Sequence, residues 1–527
     1  MSSKVYPIDI SGIKSIGTEE WMNNYYIPVT GKEFQDIFHK VFALYVDHIK
    51  QYNDDVAYWI AISNTKITIM IAQYILECLR LLRLKEKGYG YVIDEGKKRI
   101  PAHISTYNFP ALDHINRIGK ITTNLSLQDR IKNILRTVKY NANNPFVIIR
   151  SLSNLSNMTF SIGIKSQEIV TFCKANKIDT FHLPPLLFAK KTTHDSKDPQ
   201  VIKILEFIKG YLIAISKKFP MVDNLAMERI MKEVDEYFVQ SLLFFRMNLD
   251  VFKKHKPKTL LATCLGNEDN RLFCSAWRYA GGKVIGFAHG NGYCHSYLPH
   301  IIYELILVNQ YVTLSEGHKD LLRHAREDFS CGLETGSITY TKQKHYSRLF
   351  QKLQRNKPVR NIKRIMLIGF PMTNIYYYGF SGGFAFAQLD MEIRLTKLLR
   401  KKGYYVIYKP HPMTMNEVEG VFDNYVDEIV EGKYENVYDI ADCVLFGDHT
   451  TSTFGFTLLT NKPIVLIDIK GNIWFPKSFE LLSKRCSIVM TEIDDSGRII
   501  FDKNEVLNAV EESINNIDYD VLYKFAF

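Results

Sequence analysis

The chain has 527 residues, 46% of them hydrophobic, which is enough for two or three domains with sizeable cores. Its 67 basic and 56 acidic residues give a net charge of +11, which favours anionic ligands or a membrane surface; no RNA- or DNA-binding signature occurs, so we expect no nucleic-acid partner. Eight scattered cysteines, charges near the N-terminus and the lack of a long apolar window argue against a disulfide scaffold, a signal peptide and a membrane span.

The first part of the chain predicts helices and one strand. Residues 32–51 have a helical pattern, and the apolar run 56–62 predicts a buried strand. Ser63 is then placed to cap a helix that keeps its apolar spacing from residue 67 to about 85. Together these features predict a strand, helix, strand unit.

The middle of the chain predicts a parallel sheet with helical insertions. Residues 146–149 and 180–183 predict strands on either side of a helix at 167–175, and residues 200–254 predict buried helices broken at Pro220. Further strands are predicted at 259–265, 284–288 and 311–314, and the last of these is expected to end this half of the sheet.

Polar residues follow two of these strands. Glu268 and Asp269 come after the strand 259–265, and His289 with Gly290 comes directly after the strand 284–288. Ligands bind at the carboxyl ends of parallel strands, so these residues are candidates for catalysis. The alternatives are helix capping for Glu268 and Asp269, with Asp269 capping a helix at 271–280, and a core histidine for His289.

Residues 341–364 contain nine basic residues and no acidic one, and we expect this stretch to link two halves of the protein. A solvated linker is the simple interpretation. Contact with an anionic lipid or polysaccharide is the alternative.

The second half predicts parallel strands at 365–368, 404–408, 443–446 and 464–467, with a helix ending at Gly403. The second strand leads into Lys409, Pro410, His411 and Pro412. The third leads into the hydroxyl residues Thr450, Thr451, Ser452 and Thr453 at the start of a short helix ending near residue 461. Such residues either cap the helix or, with its free backbone donors, bind a phosphate.

Three stretches resemble motifs of one enzyme class. Residues 409–412 match an HP motif, and His289 with Gly290 resembles an HG pair at a strand end. The third stretch resembles a hydroxyl-rich phosphate loop and the helix that follows it, through Thr451, Ser452, Gly455, Phe456, Leu458, Leu459, Lys462 and Pro463. Over residues 259–468 the chain therefore resembles GT-B glycosyltransferases of bacterial surface and capsular polysaccharide synthesis. It is most similar to capsule transferases that use CMP-Kdo or related CMP-ulosonic acids, and more distantly to CDP-glycerol glycerophosphotransferases.

The resemblance implies an α/β, GT-B-like fold with two Rossmann-like domains facing each other across a cleft. Residues 1–340 would form the acceptor-side domain with helical insertions, and residues 341–527 the nucleotide-sugar-binding domain. A CMP-activated Kdo, sialic, legionaminic or pseudaminic acid would be the donor, a glycan or lipid-linked glycan the acceptor, and no separate cofactor is implied. We expect a cytoplasmic enzyme, peripheral at the inner face of the cytoplasmic membrane if it contacts the anionic membrane surface.

The resemblance also implies roles for residues. Lys409, His411 and Pro412 with Thr450, Thr451, Ser452 and Thr453 would hold the donor phosphate, and Glu268, Asp269 or His289 would be the general base. No metal-binding cluster is visible in the sequence, so no metal is expected.

Some features depart from related families. His449 follows Asp448 where the polyol phosphotransferases usually have an aromatic residue, which disfavours a CDP-glycerol or CDP-ribitol donor. A glutamate pair typical of many UDP- or ADP-sugar enzymes and a GxGxxG fingerprint are both missing. A sugar-nucleotide epimerase of the same fold and a non-catalytic polysaccharide assembly protein remain alternatives.

Overall fold

The protein has a mixed α/β architecture with two six-stranded sheets. The structure is a computed structural model that describes residues 4–52, 55–93, 99–101, 159–164, 166–183, 197–255, 258–288, 297, 301–342, 344–355, 359–371, 385–412 and 415–527. Both sheets are parallel and are flanked by helices, so the predicted fold class with two Rossmann-like sheets is confirmed.

The elements up to residue 340 build a small sheet and the first large sheet. The strands are β1 (Lys4–Pro7), β2 (Tyr89–Ile93), β3 (Arg99–Pro101), β4 (Thr159–Ile162), β5 (Thr180–His182), β6 (Thr259–Ala262), β7 (Lys283–Phe287), β8 (Gln310–Thr313) and β9 (Ser337–Tyr340). The helices are α1 (Ile10–Ile16), α2 (Thr18–Asn23), α3 (Gly31–Ile49), α4 (Val56–Ser63), α5 (Ile67–Glu86), α6 (Gln167–Asn176), α7 (Pro199–Lys218), α8 (Asn224–His255), α9 (Glu268–Tyr279), α10 (Ile302–Leu305) and α11 (Glu316–Phe329).

The elements after residue 340 build the second large sheet. Its strands and a following hairpin are β10 (Arg364–Ile368), β11 (Tyr405–Lys409), β12 (Glu428–Ile429), β13 (Cys443–Phe446), β14 (Ile464–Asp468), β15 (Ser487–Met490), β16 (Glu492–Ile493) and β17 (Ile499–Ile500). The helices are α12 (Lys344–Leu353), α13 (Ala385–Lys402), α14 (Met415–Val418), α15 (Tyr434–Val437), α16 (Ser452–Leu458), α17 (Pro476–Arg485), α18 (Lys503–Glu512) and α19 (Asp520–Phe525).

The first large sheet has the strand order β5-β4-β6-β7-β8-β9, and each neighbouring pair is parallel. The expectation that the strand at 311–314 ends this half of the sheet is wrong. This strand is β8, and a further strand, β9, pairs with it at the edge of the sheet. The strand predicted at 146–149 lies outside the described residues.

The second large sheet has the order β12-β11-β10-β13-β14-β15, also with parallel pairs throughout. Every residue of β13 and β14 is buried, as expected for central strands that are covered by helices on both faces. The four strands predicted in this half are confirmed to within one residue at each end.

The strand predicted at residues 56–62 is wrong, because this segment forms the helix α4. Its residues are apolar on nearly every side, and a short apolar run has no period that separates a strand from a buried helix. Ser63 therefore ends α4 rather than capping α5, and its hydroxyl donates to the Trp59 carbonyl at 2.7 Å. The strand, helix, strand unit predicted there is also wrong.

Arg271 holds the end of α4 against α9. Its side chain is fully buried, and it donates to the carbonyls of Ser63 at 2.6 Å, Ile62 at 3.0 Å and Tyr303 at 2.6 Å. Carbonyls at a helix C-terminus lack partners within the helix, so a guanidinium satisfies several of them at once. This contact fixes the turn between α4 and α5 beside the first turn of α9.

A segment near each chain end contacts the opposite half of the chain. Glu19 in α2 pairs with Lys397 of α13 at 2.7 Å, and Ser315 before α11 donates to the Phe525 carbonyl of α19 at 2.6 Å. The two large sheets are therefore connected by more than the stretch around α12. Among the described helices, none is both long enough and apolar enough to span a membrane.

Candidate functional site

The carboxyl edge of the second sheet brings two polar loops to the same level. Ile368, the last residue of β10, pairs with Lys409 on one side and with Phe446 on the other. Adjacent strands lie about 4.8 Å apart, so the loops after β11 and β13 begin about 10 Å from each other across the end of β10. The predicted phosphate-binding residues of both loops thus start at one edge of a parallel sheet, where ligands bind in open α/β folds.

Lys409 supplies the charge at the end of β11. It is 3% exposed, and its ammonium donates to the Pro410 carbonyl at 3.0 Å. Burial lowers the pKa of Lys409. Burial and the neighbouring Lys409 charge lower the pKa of His411, which is half-buried, below the ordinary 6.5 of histidine. At neutral pH His411 is therefore a neutral imidazole beside a lysine.

The hydroxyl residues after β13 have different partners. The Thr450 hydroxyl and N–H donate to the buried Asp448 carboxyl at 2.9 and 3.0 Å, which closes a turn. Thr451 caps α16 by accepting from the Phe454 N–H at 3.2 Å, so the capping interpretation holds for this residue. Ser452 is exposed and Thr453 is half-buried in the first turn of α16. The phosphate-binding role of these residues stays a prediction.

Polar side chains of helix α13 contact the ends of β10, β11 and β13. Glu392 is fully buried and accepts from the Phe370 N–H after β10 at 2.8 Å and from the Tyr408 hydroxyl of β11 at 2.9 Å. One turn earlier, Gln388 donates to the Gly447 carbonyl after β13 at 3.1 Å. Burial raises the pKa of Glu392 to about 8. The ends of β10, β11 and β13 therefore all contact polar side chains of one helix.

Gly369 makes this packing possible. A side chain at this position would collide with the Tyr408 hydroxyl. Only glycine therefore lets the chain after β10 pass close enough for the Phe370 N–H to reach Glu392.

His449 joins the hydroxyl loop to the loop after β14. It is 1% exposed, and its ring stacks on Trp474 with 4.0 Å between centroids and 29° between planes. Trp474 is fixed in turn, because its indole N–H donates to Asp468 at 3.0 Å. Burial lowers the pKa of His449 to about 3, so the ring is neutral. The residue that departs from the polyol phosphotransferase pattern at this position is therefore a buried histidine that packs against Trp474.

The predicted acidic residues of the first half lie together at the first turn of α9. Glu268 pairs with Lys66 at 2.9 Å. Asp269 is half-buried, and burial with the neighbouring Glu268 charge raises its pKa to about 7. The prediction that Asp269 caps the helix is wrong, because α9 begins at Glu268 and Asn267 is the cap, accepting from the Asp269 N–H at 3.0 Å. The Asp269 carboxyl is therefore not used for capping.

The third candidate base, His289, lies outside the described residues. The next described residue is Tyr297, whose ring packs against Phe475 with 5.9 Å between centroids. Tyr297 belongs to the connection after β7 and Phe475 to the connection after β14. Strand-end connections of the two large sheets therefore touch.

Comparison with known proteins gives no assignment by sequence. No family model matches the chain, and no curated protein matches it. Among solved structures, KpsC of Thermosulfurimonas dismutans, a beta Kdo 2,7 transferase, is 15% identical over 68% of this chain and 99% of that chain, with a TM-score of 0.24. Apo UGT2 of Phytolacca americana is 8% identical over 69% of this chain and 93% of that chain, with a TM-score of 0.32. Both TM-scores are low, so the function proposed below rests on the residues of this chain.

Sequence reasoning missed the residues that support the loops. Gln388 and Glu392 lie four residues apart in the helix that is predicted to end at Gly403. Their spacing places both on one side of α13, and both are fully buried. Two polar residues at this spacing, near the apolar face of a helix that precedes a strand-end motif, are the signal that could have identified them.

Proposed function

We propose that the protein is a glycosyltransferase that moves a sugar from a CMP-activated donor to a hydroxyl group of a surface glycan or glycolipid. The donor sugar is proposed to be a 3-deoxy-ulosonic acid such as Kdo or a sialic acid. The observation that carries the proposal is the alignment of Lys409 and the hydroxyl loop on either side of β10 at one sheet edge. The resemblance of the same two loops to phosphate-binding motifs supports it.

In this proposal the donor phosphate lies between the two loops. The Lys409 ammonium supplies positive charge, and its burial strengthens the interaction with an anion because less water screens it. His411, which is neutral at pH 7, would donate its one ring N–H. Thr451, Ser452 and Thr453 supply hydroxyl donors, whereas the Thr450 hydroxyl is directed to Asp448 and shapes the loop.

The general base is proposed to be Asp269. A base must be unprotonated before the reaction and must hold a proton after it, so a pKa near the working pH is favourable. The pKa of about 7 for Asp269 meets this condition. Glu268, by contrast, is engaged with Lys66, which favours a role in fixing the turn.

The reaction would proceed by displacement. The acceptor oxygen forms a bond to the anomeric carbon, the bond from that carbon to the phosphate oxygen breaks, and CMP leaves with the electron pair. The acceptor proton goes to the Asp269 carboxylate. Lys409 and His411 would stabilise the negative charge that develops on the departing phosphate.

The proposal is tested by measuring thermal stability in the presence of CMP, CDP, UDP and GDP, since a ligand that binds the native state raises the unfolding temperature. We expect CMP to stabilise the protein most, and CMP to be released from CMP-Kdo only when a glycan acceptor is added. Equal shifts with all four nucleotides would contradict the CMP donor. Epimerisation of a sugar nucleotide without an acceptor would indicate an epimerase, and binding without turnover an assembly protein.

A further inference from the structure

The proposed reaction does not use the basic residues around α12. Seven of them are exposed in the described structure, and we call the six that precede residue 362 the basic segment: Lys342, Lys344, Arg348, Lys352, Arg355 and Arg360. The predicted linker is thus partly a helix with a basic surface.

The helix α12 has two chemically different sides. Tyr346 and Leu353 are buried, and the Tyr346 hydroxyl donates to Glu168 of α6 at 3.1 Å. Lys344, Arg348 and Lys352 are spaced four residues apart, so they form a stripe about 12 Å long on the opposite side. The buried side anchors the helix, and the stripe faces outward.

The basic segment has no acidic partners within the described part of the chain. None of its six cations forms an ion pair there, although Asp518 and Asp520 lie in the neighbouring chain end. By contrast, Arg364 at the start of β10 pairs with Glu428 at 2.9 Å. Six like charges without counter-charges repel one another and attract an anionic surface.

Exposed apolar groups lie in the chain end that packs against α12. Tyr523 of α19 is 63% exposed, and its ring packs against Phe350 of α12 with 6.4 Å between centroids. Ile517, just before α19, is 54% exposed. Tyrosine rings favour the interface between a bilayer and water, so the exposed Tyr523 favours a lipid surface at this part of the protein.

We propose that the basic segment, with Tyr523 beside it, binds the surface of an anionic lipid bilayer. The cations attract the headgroups, and the tyrosine enters the interface while α12 stays folded on the protein. This binding is electrostatic and peripheral, so it requires no spanning helix. It stands independently of the proposed transfer reaction, because none of these residues belongs to the candidate site.

The test is cosedimentation of the full chain with vesicles of phosphatidylcholine and with equimolar vesicles of phosphatidylcholine and phosphatidylglycerol. We expect binding to the mixed vesicles only, and we expect it to weaken as salt is raised. Each cation near an anionic bilayer strengthens binding about fivefold, so replacing Lys344, Arg348 and Lys352 by glutamine should weaken it about 100-fold. The Tyr523→Ala variant should bind several-fold more weakly with an unchanged salt dependence.

The matched control removes three exposed cations from α7, by replacing Lys209, Lys217 and Lys218 with glutamine. It has the same net charge as the α12 variant, and we expect it to retain most of the binding. Equal losses in both triple variants would overturn the proposal in favour of a diffuse charge effect. No binding to mixed vesicles, together with binding of a soluble polysialic acid that depends on the α12 cations, would overturn it in favour of a polysaccharide surface.

Discussion

The Tyr408 hydroxyl donates a hydrogen bond to the Glu392 carboxyl at 2.9 Å, inside the layer between the second sheet and α13. The same carboxyl accepts from the Phe370 N–H, so one buried acid connects the ends of β10 and β11. Burial raises its pKa to about 8, which means that it is mostly protonated at neutral pH. Glu392 thus supports the edge proposed to bind the donor without itself adding a buried negative charge.

This arrangement predicts a pH-dependent stability that depends on Glu392. In the unfolded chain a glutamate has a pKa of about 4.3, so between that pH and about 8 the folded state holds the extra proton. The free energy of unfolding should therefore fall as pH rises through this window. Glu392→Gln keeps the shape and cannot ionise, so its stability should fall less between pH 5 and pH 8 by urea unfolding.

Glu19 is the control, because its pKa is lowered by the hydrogen bond from Lys397. Its ionised form is favoured by folding, so its contribution to stability is present above the unfolded pKa and is lost as pH falls. Glu19→Gln should leave the decline toward pH 8 in place. An unchanged decline in the Glu392→Gln variant as well would show that Glu392 does not carry this proton.

A second prediction concerns two buried tyrosines with different hydrogen bonding. The Tyr237 hydroxyl of α8 is buried without a hydrogen-bond partner in the described part of the chain, whereas the Tyr74 hydroxyl donates to the Ala226 carbonyl at 2.8 Å. Burying an unpaired hydroxyl costs free energy, so Tyr237→Phe should raise the free energy of unfolding by about 1 kcal/mol. Tyr74→Phe should lower it by about 1 kcal/mol, because a carbonyl loses its donor. Urea unfolding of both variants checks this, and a loss of stability in Tyr237→Phe would contradict it.

The strands of the second sheet could be predicted because Gly369, Gly403 and Pro463 mark where they begin and end. The segment 56–62 has no such marker, and its burial on nearly all sides removes the helical period. The assignment as a strand therefore failed where tertiary burial, and not local sequence, decides the structure.

The sequence predicts the residues of the candidate site at the strand ends, but not the residues of α13 that support these ends. Lys409, His411 and residues 450–453 were found because the carboxyl edge of a parallel sheet is a general ligand position. Glu392 and Gln388 were missed because a polar residue in a helix does not indicate its partner, which here lies on another strand end. For Asp269 the sequence favoured capping, and only the placement of Asn267 at the cap position removes that role.

A third prediction concerns the HP motif. His411→Ala should lower transfer by about 100-fold or more, because removing one donor to the developing phosphate charge has an effect of this size. The fold should remain intact, since His411 lies in a half-exposed loop beyond β11. Turnover and the thermal shift with CMP are the measurements, and His39→Ala on the exposed side of α3 is the control. Near-normal turnover in a folded His411→Ala variant would remove His411 from the donor site.

The fourth prediction separates the three candidate bases. If Asp269 takes the acceptor proton, turnover should rise with pH through about 7 and level off above it, because only the ionised carboxyl is active. Asp269→Asn should remove this limb and lower turnover by about 100-fold to 10,000-fold with little change in CMP affinity, because the residue acts on the acceptor. Glu268→Gln should have a smaller effect, since its ion pair with Lys66 fixes a turn. Turnover profiles and CMP affinities of these variants and of His289→Ala decide among them. Loss of turnover in His289→Ala alone would make His289 the base, and full activity in all three would point to a proton path through the substrate or water.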